Sequence, residues 1–355
     1  MAYKKDYATK ERTDHHQELT NLIIKKLEDH LEYQTPWFTC NEAPFNPVTG
    51  TKYKGVNRVS LSARGFDDPR FYTFNNVKTL AEETGQELHV KKGSKGAPVF
   101  KALQVTFNPN DKTYEFVKSQ DEAVETNRDG EGKITFWTMA YAGTVFNGSQ
   151  IEGLEPYLVR DRPPFQAHEE AEKVIEAMKL KGGVELEFHS EGRAYYNPGT
   201  DRVSLPHREL FKDDPSFYTT AMHEFTHATG HASRLNRDMT GKFGSASYAK
   251  EELTAELGAY FLCSEVGLSY DPSTHDSHAA YVQSWLKALR NDKSYIFKAS
   301  QSASKAVDYQ LDKRDEYVRD LEQQKASSKV YDDMMSKLGK TTREREQQKT
   351  IALSR

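Results

Sequence analysis

The sequence predicts an α+β chain in two domains, followed by a charged helical tail. Three observations predict it. Short alternating segments at 184–206 lead into a helix that carries His223-Glu-Phe-Thr-His227. A separate set of strand-like and helix-like segments fills residues 14–154, with a small antiparallel sheet expected there. Between the two lies Tyr157 to Ala167, whose Pro163-Pro164 makes it the best linker. The predicted units are 1–158, 159–310 and a tail at 311–355.

Composition limits the function classes. The chain has 355 residues, enough for two domains. Hydrophobic residues are 36% and charged residues 29%, with a mean hydropathy of -0.81, so polar loops or tails dilute an ordinary core. Lys and Arg number 49 against 53 Asp and Glu, a net charge of -4. Overall charge therefore does not advertise nucleic-acid binding, and any basic face has to be local. Cys40 and Cys263 are far apart and form no C-x-x-C, which argues against a disulfide framework or a thiolate zinc site. No run of about 18 apolar residues exists and the start reads as no signal peptide, so a cytoplasmic protein without membrane contact is expected.

Taken in order, the run from Asp14 places Leu19, Leu22, Ile23 and Leu27 at helical spacing. Pro44 to Asn57 is turn chemistry carrying exposed-looking aromatic and basic residues. Arg58-Val-Ser-Leu-Ser62 alternates like a strand, and Arg70-Phe-Tyr-Thr-Phe74 opens a helix that closes near Gly85. Leu88 to Lys101 reads as strand, Lys/Gly turn, strand. Residues 108–133 look like a long polar hairpin insertion, and strand character resumes at Ile134. Beyond the linker, Ala171, Val174, Ile175 and Met178 mark a helix stopped by Gly182-Gly183. Strands at 184–189, 193–196 and 201–206 should form a second small antiparallel sheet. Amphipathic helices follow at 248–262, 281–289 and 295–311.

The chemistry concentrates on the His223 helix. Asp214 is the predicted N-cap and Pro215 the first helical residue. His223 and His227 are four apart, one turn along the same side, where two imidazoles can bind one zinc ion. Glu224 lies beside them, placed to take a proton from a water on the metal. A third ligand is needed. Glu252 and Glu256 share one face of a later helix that looks partly buried, so Glu252 is the preferred ligand and Glu256 its hydrogen-bonding companion to a histidine N–H. Glu251, about 100° round that helix, is expected to be exposed. Glu256 and His231 compete as the third ligand, but in a continued helix His231 lies about 12 Å along the axis from His223. His231 and Tyr248 are also candidates for stabilising an oxyanion. Such a set performs metal-assisted hydrolysis, most naturally of a peptide bond.

A second constellation lies upstream. Lys91, Lys92 and Lys95 cluster on one turn, and Trp37, Tyr53, Lys54, Asn57 and Arg58 supply further aromatic, polar and basic groups. Lysines neutralise phosphates and aromatic faces stack on bases, which suits single-stranded nucleic acid. A solvated hairpin over an aromatic core produces the same pattern.

With these residues in view, the chain resembles the ArdC family of antirestriction proteins over roughly residues 14–310. The resemblance rests on Pro36-Trp37, Tyr53-Lys-Gly-Val-Asn57, Lys92-Gly-Ser-Lys-Gly96 and Val145 to Gly153 in the first domain. In the second it rests on Asp201-Arg-Val-Ser-Leu-Pro206, His223 to Leu235 and Tyr248 to Gly258. It implies an N-terminal domain that binds single-stranded DNA and a C-terminal zincin-like, gluzincin-like metallopeptidase domain. It implies Zn2+ or another divalent metal at His223, His227 and a glutamate of the Glu251-Glu252 region. It further implies a mobile-element protein that shields incoming plasmid or phage DNA from restriction in a bacterial host cell, with a host protein such as a restriction component as peptidase substrate. The alternatives are a DNA-binding shield whose metal site is structural, and an accessory factor in DNA processing. Residues 108–133 and the tail after 311 depart from the compact family pattern.

Overall fold

A computed structural model describes residues 14–33, 42–110, 113–116, 127–128, 132–158, 164–241, 245–270 and 278–353. The first half opens with helix α1 (His15–Tyr33), the short ribbon β1 (Phe45–Asn46) and β2 (Thr51–Lys52), and helix α2 (Val56–Ser62). It continues through β3 (Phe71–Thr73), α3 (Phe74–Thr84), β4 (His89–Val90), β5 (Ala97–Asn108), β6 (Thr113–Phe116), β7 (Asn127–Arg128), β8 (Ile134–Asn147) and β9 (Ile151–Glu152). The second half contains α4 (Pro164–Leu180), β10 (Glu185–His189), β11 (Tyr195–Asn197) and β12 (Arg202–Pro206). Four helices complete it: α5 (Asp214–Ala228), α6 (Ala246–Val266), α7 (His278–Asn291) and α8 (Tyr295–Leu353).

The first sheet is antiparallel, in the order β3-β8-β5-β6, with β7 also on β8. Its spine is the long β5–β8 ribbon, in register from Ala97↔Val145 to Phe107↔Ile134 with one bulge at Val99/Phe100. The polar 108–133 stretch contributes β6 and β7 to this ribbon.

Three local expectations fail for a shared reason: pairing and burial are not local properties. Arg58-Val-Ser-Leu-Ser62 belongs to helix α2, and all five residues are buried, so their alternation reports no sheet face. Phe71–Thr73 is a strand, and the helix begins after it, where Thr73 and Asn76 form a capping box. The lysine turn closes no hairpin, because β4 pairs with β9 and not with β5. Instead it joins two sheets.

The second sheet has the order β10-β12-β11, with β10 parallel and β11 antiparallel to β12. It was expected to be antiparallel throughout. The turn at Ser190-Glu-Gly192 carries the chain past β12, leaving that strand central; its Val203 and Leu205 are fully buried. At the C-terminal end, α8 runs without a break through the predicted boundary at 311. Its tail portion stays tied to α4 by an ion pair from Arg314 to Glu170, and to the residue just after α4 by one from Asp320 to Lys181.

One core serves both halves. Leu19, Ile23, Val59 and Phe100 from the first half join Phe217, Phe225, Phe261 and Ile296 from the second in a single apolar cluster. Among the described residues, no helix is long and apolar enough to cross a membrane.

Candidate metal centre

Helix α5 is capped one residue earlier than expected: Asp213, not Asp214, accepts from the Ser216 backbone N–H at 2.9 Å. From Ser216 to Ala228 every residue is buried, so the helix has no solvent face. Buried His and Glu side chains on such a helix require partners. Helix α6 supplies them. The two helices meet closely because Gly258 has no side chain: a Cβ there would lie 2.4 Å from Thr226 Cγ2. Gly258→Ala is therefore expected to lower stability by about 1–3 kcal/mol through overpacking. Urea unfolding measures this; an unchanged midpoint would show that the contact yields without cost.

The donor atoms converge. The Nε2 atoms of His223 and His227 are 3.1 Å apart. Glu252 lies 3.7 Å from the first and 3.6 Å from the second through its two carboxylate oxygens. His223, His227 and Glu252 are all buried, with one ligand atom from each within 4.8 Å of the others. Ligand atoms about 2.0–2.2 Å from one tetrahedral ion lie about 3.3–3.6 Å from one another, so the set fits a divalent cation.

The histidines are held from behind. Glu256 approaches His223 Nδ1 at 3.3 Å and also accepts from the Tyr270 hydroxyl. Glu251 accepts from His227 Nδ1 at 3.1 Å. Each carboxylate favours the tautomer with the proton on Nδ1, in which the Nε2 lone pair can ligate a cation. The expected exposure of Glu251 is wrong, since the residue is 8% exposed. The loop after α5 folds over that side of α6 and brings Arg237 onto it.

Charge also asks for a cation. Glu224, Glu251, Glu252 and Glu256 are buried together, and Arg237 is the guanidinium that pairs with Glu251. Burial lowers the affinity of His227 for a proton, but Glu252 and Glu251 outweigh it and carry its pKa up to about 9. Burial opposes ionisation of Glu252, yet His227 and His223 hold its pKa low. Glu224 differs: burial raises its pKa, and the two histidines only partly oppose this. A carboxyl of raised pKa suits proton transfer. The backbone of Tyr196, on edge strand β11, also lowers the Glu224 pKa. That strand is anchored in turn, because the Tyr196 hydroxyl donates to Asp201 at 2.7 Å and Arg234 clasps the same carboxylate.

The oxyanion candidates sit at the ends of the two helices. His231 follows the end of α5 and pairs with Ser233 at 2.8 Å, outside the donor cluster. Tyr248 is half-buried on the first turn of α6, one turn before Glu252. Sequence reasoning missed Arg237, Tyr196 and Tyr270. No spacing signal marks them, since each reaches the site through a loop or a different element.

The predicted nucleic-acid residues separate into two groups. Lys91, Lys92 and Lys95 are exposed on one turn, with Lys91 donating to the Ser149 carbonyl at 2.8 Å. Asn57 and Arg58 are not available to a ligand. Asn57 bonds both the N–H and the carbonyl of Phe100 at 2.7 Å. Arg58 is 3% exposed and pairs with Glu265 and the Phe261 carbonyl. Lys54 is exposed but bonds Asp308 at 2.6 Å, and Tyr53 is half-buried against the Leu61–Phe71 cluster. Trp37 lies outside the described residues.

Comparison with known proteins agrees with this two-part arrangement. Residues 13–146 match the model of the N-terminal domain of anti-restriction factor ArdC, and residues 169–302 match that of a zincin-like metallopeptidase. A DNA primase TraC of Escherichia coli is 34% identical over 322 residues, covering 87% of this chain and 20% of the primase. A second TraC is 34% identical over 318 residues, covering 88% and 28%. The chain thus spans between a fifth and somewhat over a quarter of those primases. The y4eC protein of Sinorhizobium fredii is 32% identical over 302 residues, covering 84% of this chain and 91% of its own. Among solved structures, the metal-free antirestriction ArdC protein from plasmid R388 is 31% identical with a TM-score of 0.62, covering 86% of this chain and 99% of that one. Its Mn(II)-bound form gives 32% identity and a TM-score of 0.60, covering 85% and 98%.

Proposed function

This chain belongs to the ArdC family of antirestriction proteins, and from that premise we propose that it protects DNA of a mobile element by binding it single-stranded and hydrolysing a peptide bond at a divalent-metal site. The observation that carries the catalytic half is the convergence of His223, His227 and Glu252 beside a buried Glu224 of raised pKa. His223, His227 and Glu252 are the residues that would hold the ion. A bound divalent ion supplies Lewis acidity that activates water and polarises a carbonyl. Glu224 takes the proton from the attacking water and returns it to the leaving amine. Zn2+ is the ion best matched to a His, His, Glu set, and the Mn(II)-bound relative supports a site open to more than one divalent metal. A host protein, such as a restriction component, is the substrate class that accords with the family, and the host cytoplasm is where it would be met.

The exposed lysine turn is the DNA-facing element we assign, since Lys91, Lys92 and Lys95 project from one connection between sheets. Replacing all three by Ala is expected to weaken binding of a labelled single-stranded oligonucleotide. It should also flatten the dependence of log affinity on log salt by about 2, the loss of three phosphate contacts on a single strand. Titration at several salt concentrations measures both. An unchanged slope would remove this turn from the interface. Failure of the wild-type chain to prefer single strands would remove the DNA half of the proposal.

A reading without turnover keeps the antirestriction role of the family and dispenses with hydrolysis. In that reading the ion only braces α5 against α6.

A further inference from the structure

The loop that follows α5 returns immediately on itself. Leu235 N–H donates to the Thr229 carbonyl and Arg237 N–H to the Gly230 carbonyl, with Asn236 in the left-handed region at φ 47. This reversal delivers the Arg237 side chain to the space under the end of α5. Gly230 keeps that space open, since a Cβ there would lie 2.9 Å from Arg237 Nη2. The guanidinium is then fully engaged. Its Nε and Nη2 donate to the two oxygens of Glu251 at 2.9 and 2.6 Å. Nη1 donates to the Thr229 hydroxyl at 2.7 Å and Nη2 also to the Thr226 carbonyl at 2.8 Å.

Resting on the metal-site reading above, we infer that Arg237 is a positioning residue for the metal: its fork fixes the Glu251 carboxylate, and that carboxylate fixes the ring of His227 with Nε2 toward the ion. Both side chains of the pair are nearly sealed, Arg237 at 12% exposure and Glu251 at 10%. A carboxylate so deeply placed needs a bidentate partner to keep both its charge and its orientation. Arg237 meets that need through both oxygens of Glu251, and Oε1 of the same carboxylate also takes His227 Nδ1 at 3.1 Å. The order is therefore loop to guanidinium, guanidinium to carboxylate, carboxylate to imidazole. A lysine would preserve the charge but not the fork. The two bonds to the end of α5 offer a competing role as a helix cap, in which Arg237 stabilises the fold without tuning the ion.

Zn(II) affinity of the full chain, measured by competition with a chromophoric chelator, separates the two. Arg237→Gln is expected to weaken Zn(II) binding by about 10–100-fold, the usual effect of losing such a partner. Arg237→Lys should recover part of the loss, and far-UV circular dichroism should show both variants folded. In a Glu251→Gln background, Arg237→Gln should cost little more, because it acts through that carboxylate. An unchanged Zn(II) affinity in folded Arg237→Gln, with only a lower melting point of the metal-free protein, would overturn the inference in favour of the cap. Additive losses in the double variant would also overturn it. Absence of Zn(II) binding by the wild-type chain would bring down the metal-site reading itself, and this inference with it.

Discussion

Glu224→Gln is expected to lower the rate of peptide hydrolysis by about 10²–10⁴, the contribution of a positioned general base. The amide is isosteric with the carboxylate, so the 6%-exposed site keeps its shape. What is lost is the ability to take up a proton. Glu224 is absent from the convergent donor set, so Zn(II) content should not fall. The measurement pairs hydrolysis of a labelled unfolded protein with survival of transferred DNA in a restricting host. Loss of both, with metal retained, is the outcome expected of a peptidase mechanism. Wild-type protection by Glu224→Gln would show that the DNA is shielded without turnover, and the structural role of the ion would then be preferred.

Arg58→Ala is expected to cost about 1–3 kcal/mol, the penalty for removing a buried donor from its carbonyl and carboxylate partners. Arg58 comes from α2 in the first half and Glu265 from α6 in the second, and the guanidinium also donates to the Phe261 carbonyl at 3.2 Å. Its removal would leave that carboxylate, 15% exposed, with Lys52 at 3.5 Å as its remaining cation; burial opposes its ionisation, and Arg58 with Lys52 holds its pKa down. Chemical denaturation measures the loss directly. If instead the unfolding midpoint held and single-stranded DNA affinity fell, Arg58 would be a phosphate ligand and its buried placement would be wrong. The helix that carries Glu265 also carries Glu251, Glu252 and Glu256, so α6 is shared by the inter-half contact and the candidate metal centre.

How much of this was legible depends on how local each feature is. His223 and His227 share a helix turn, and a spacing of four places them together whatever the rest of the chain does. Glu252 and Glu256 were found by the same logic. The side of α6 on which Glu251 sits was misjudged, because a neighbouring loop covers it and no helical periodicity encodes that loop's path. The residue types and turn-rich surroundings of Asn57 and Arg58 fit an exposed face that meets nucleic acid. In the fold, Asn57 instead staples α2 to β5 and Arg58 ties α2 to α6. The lysine turn kept its exposure but not its hairpin, since the partner of β4 arrives about 60 residues later.

By itself the sequence determined the family, the two-part organisation, the capped helix and the short-range geometry of its histidines and acids. Each of these rests on motif spacing or helical period, which neighbouring residues enforce. Only the tertiary structure decided which strand pairs with which, that one core spans both halves, and that Arg237 and Tyr196 reach the metal centre. Those outcomes depend on burial and on contacts between distant segments, where the free energy of a side chain is set by what folds against it.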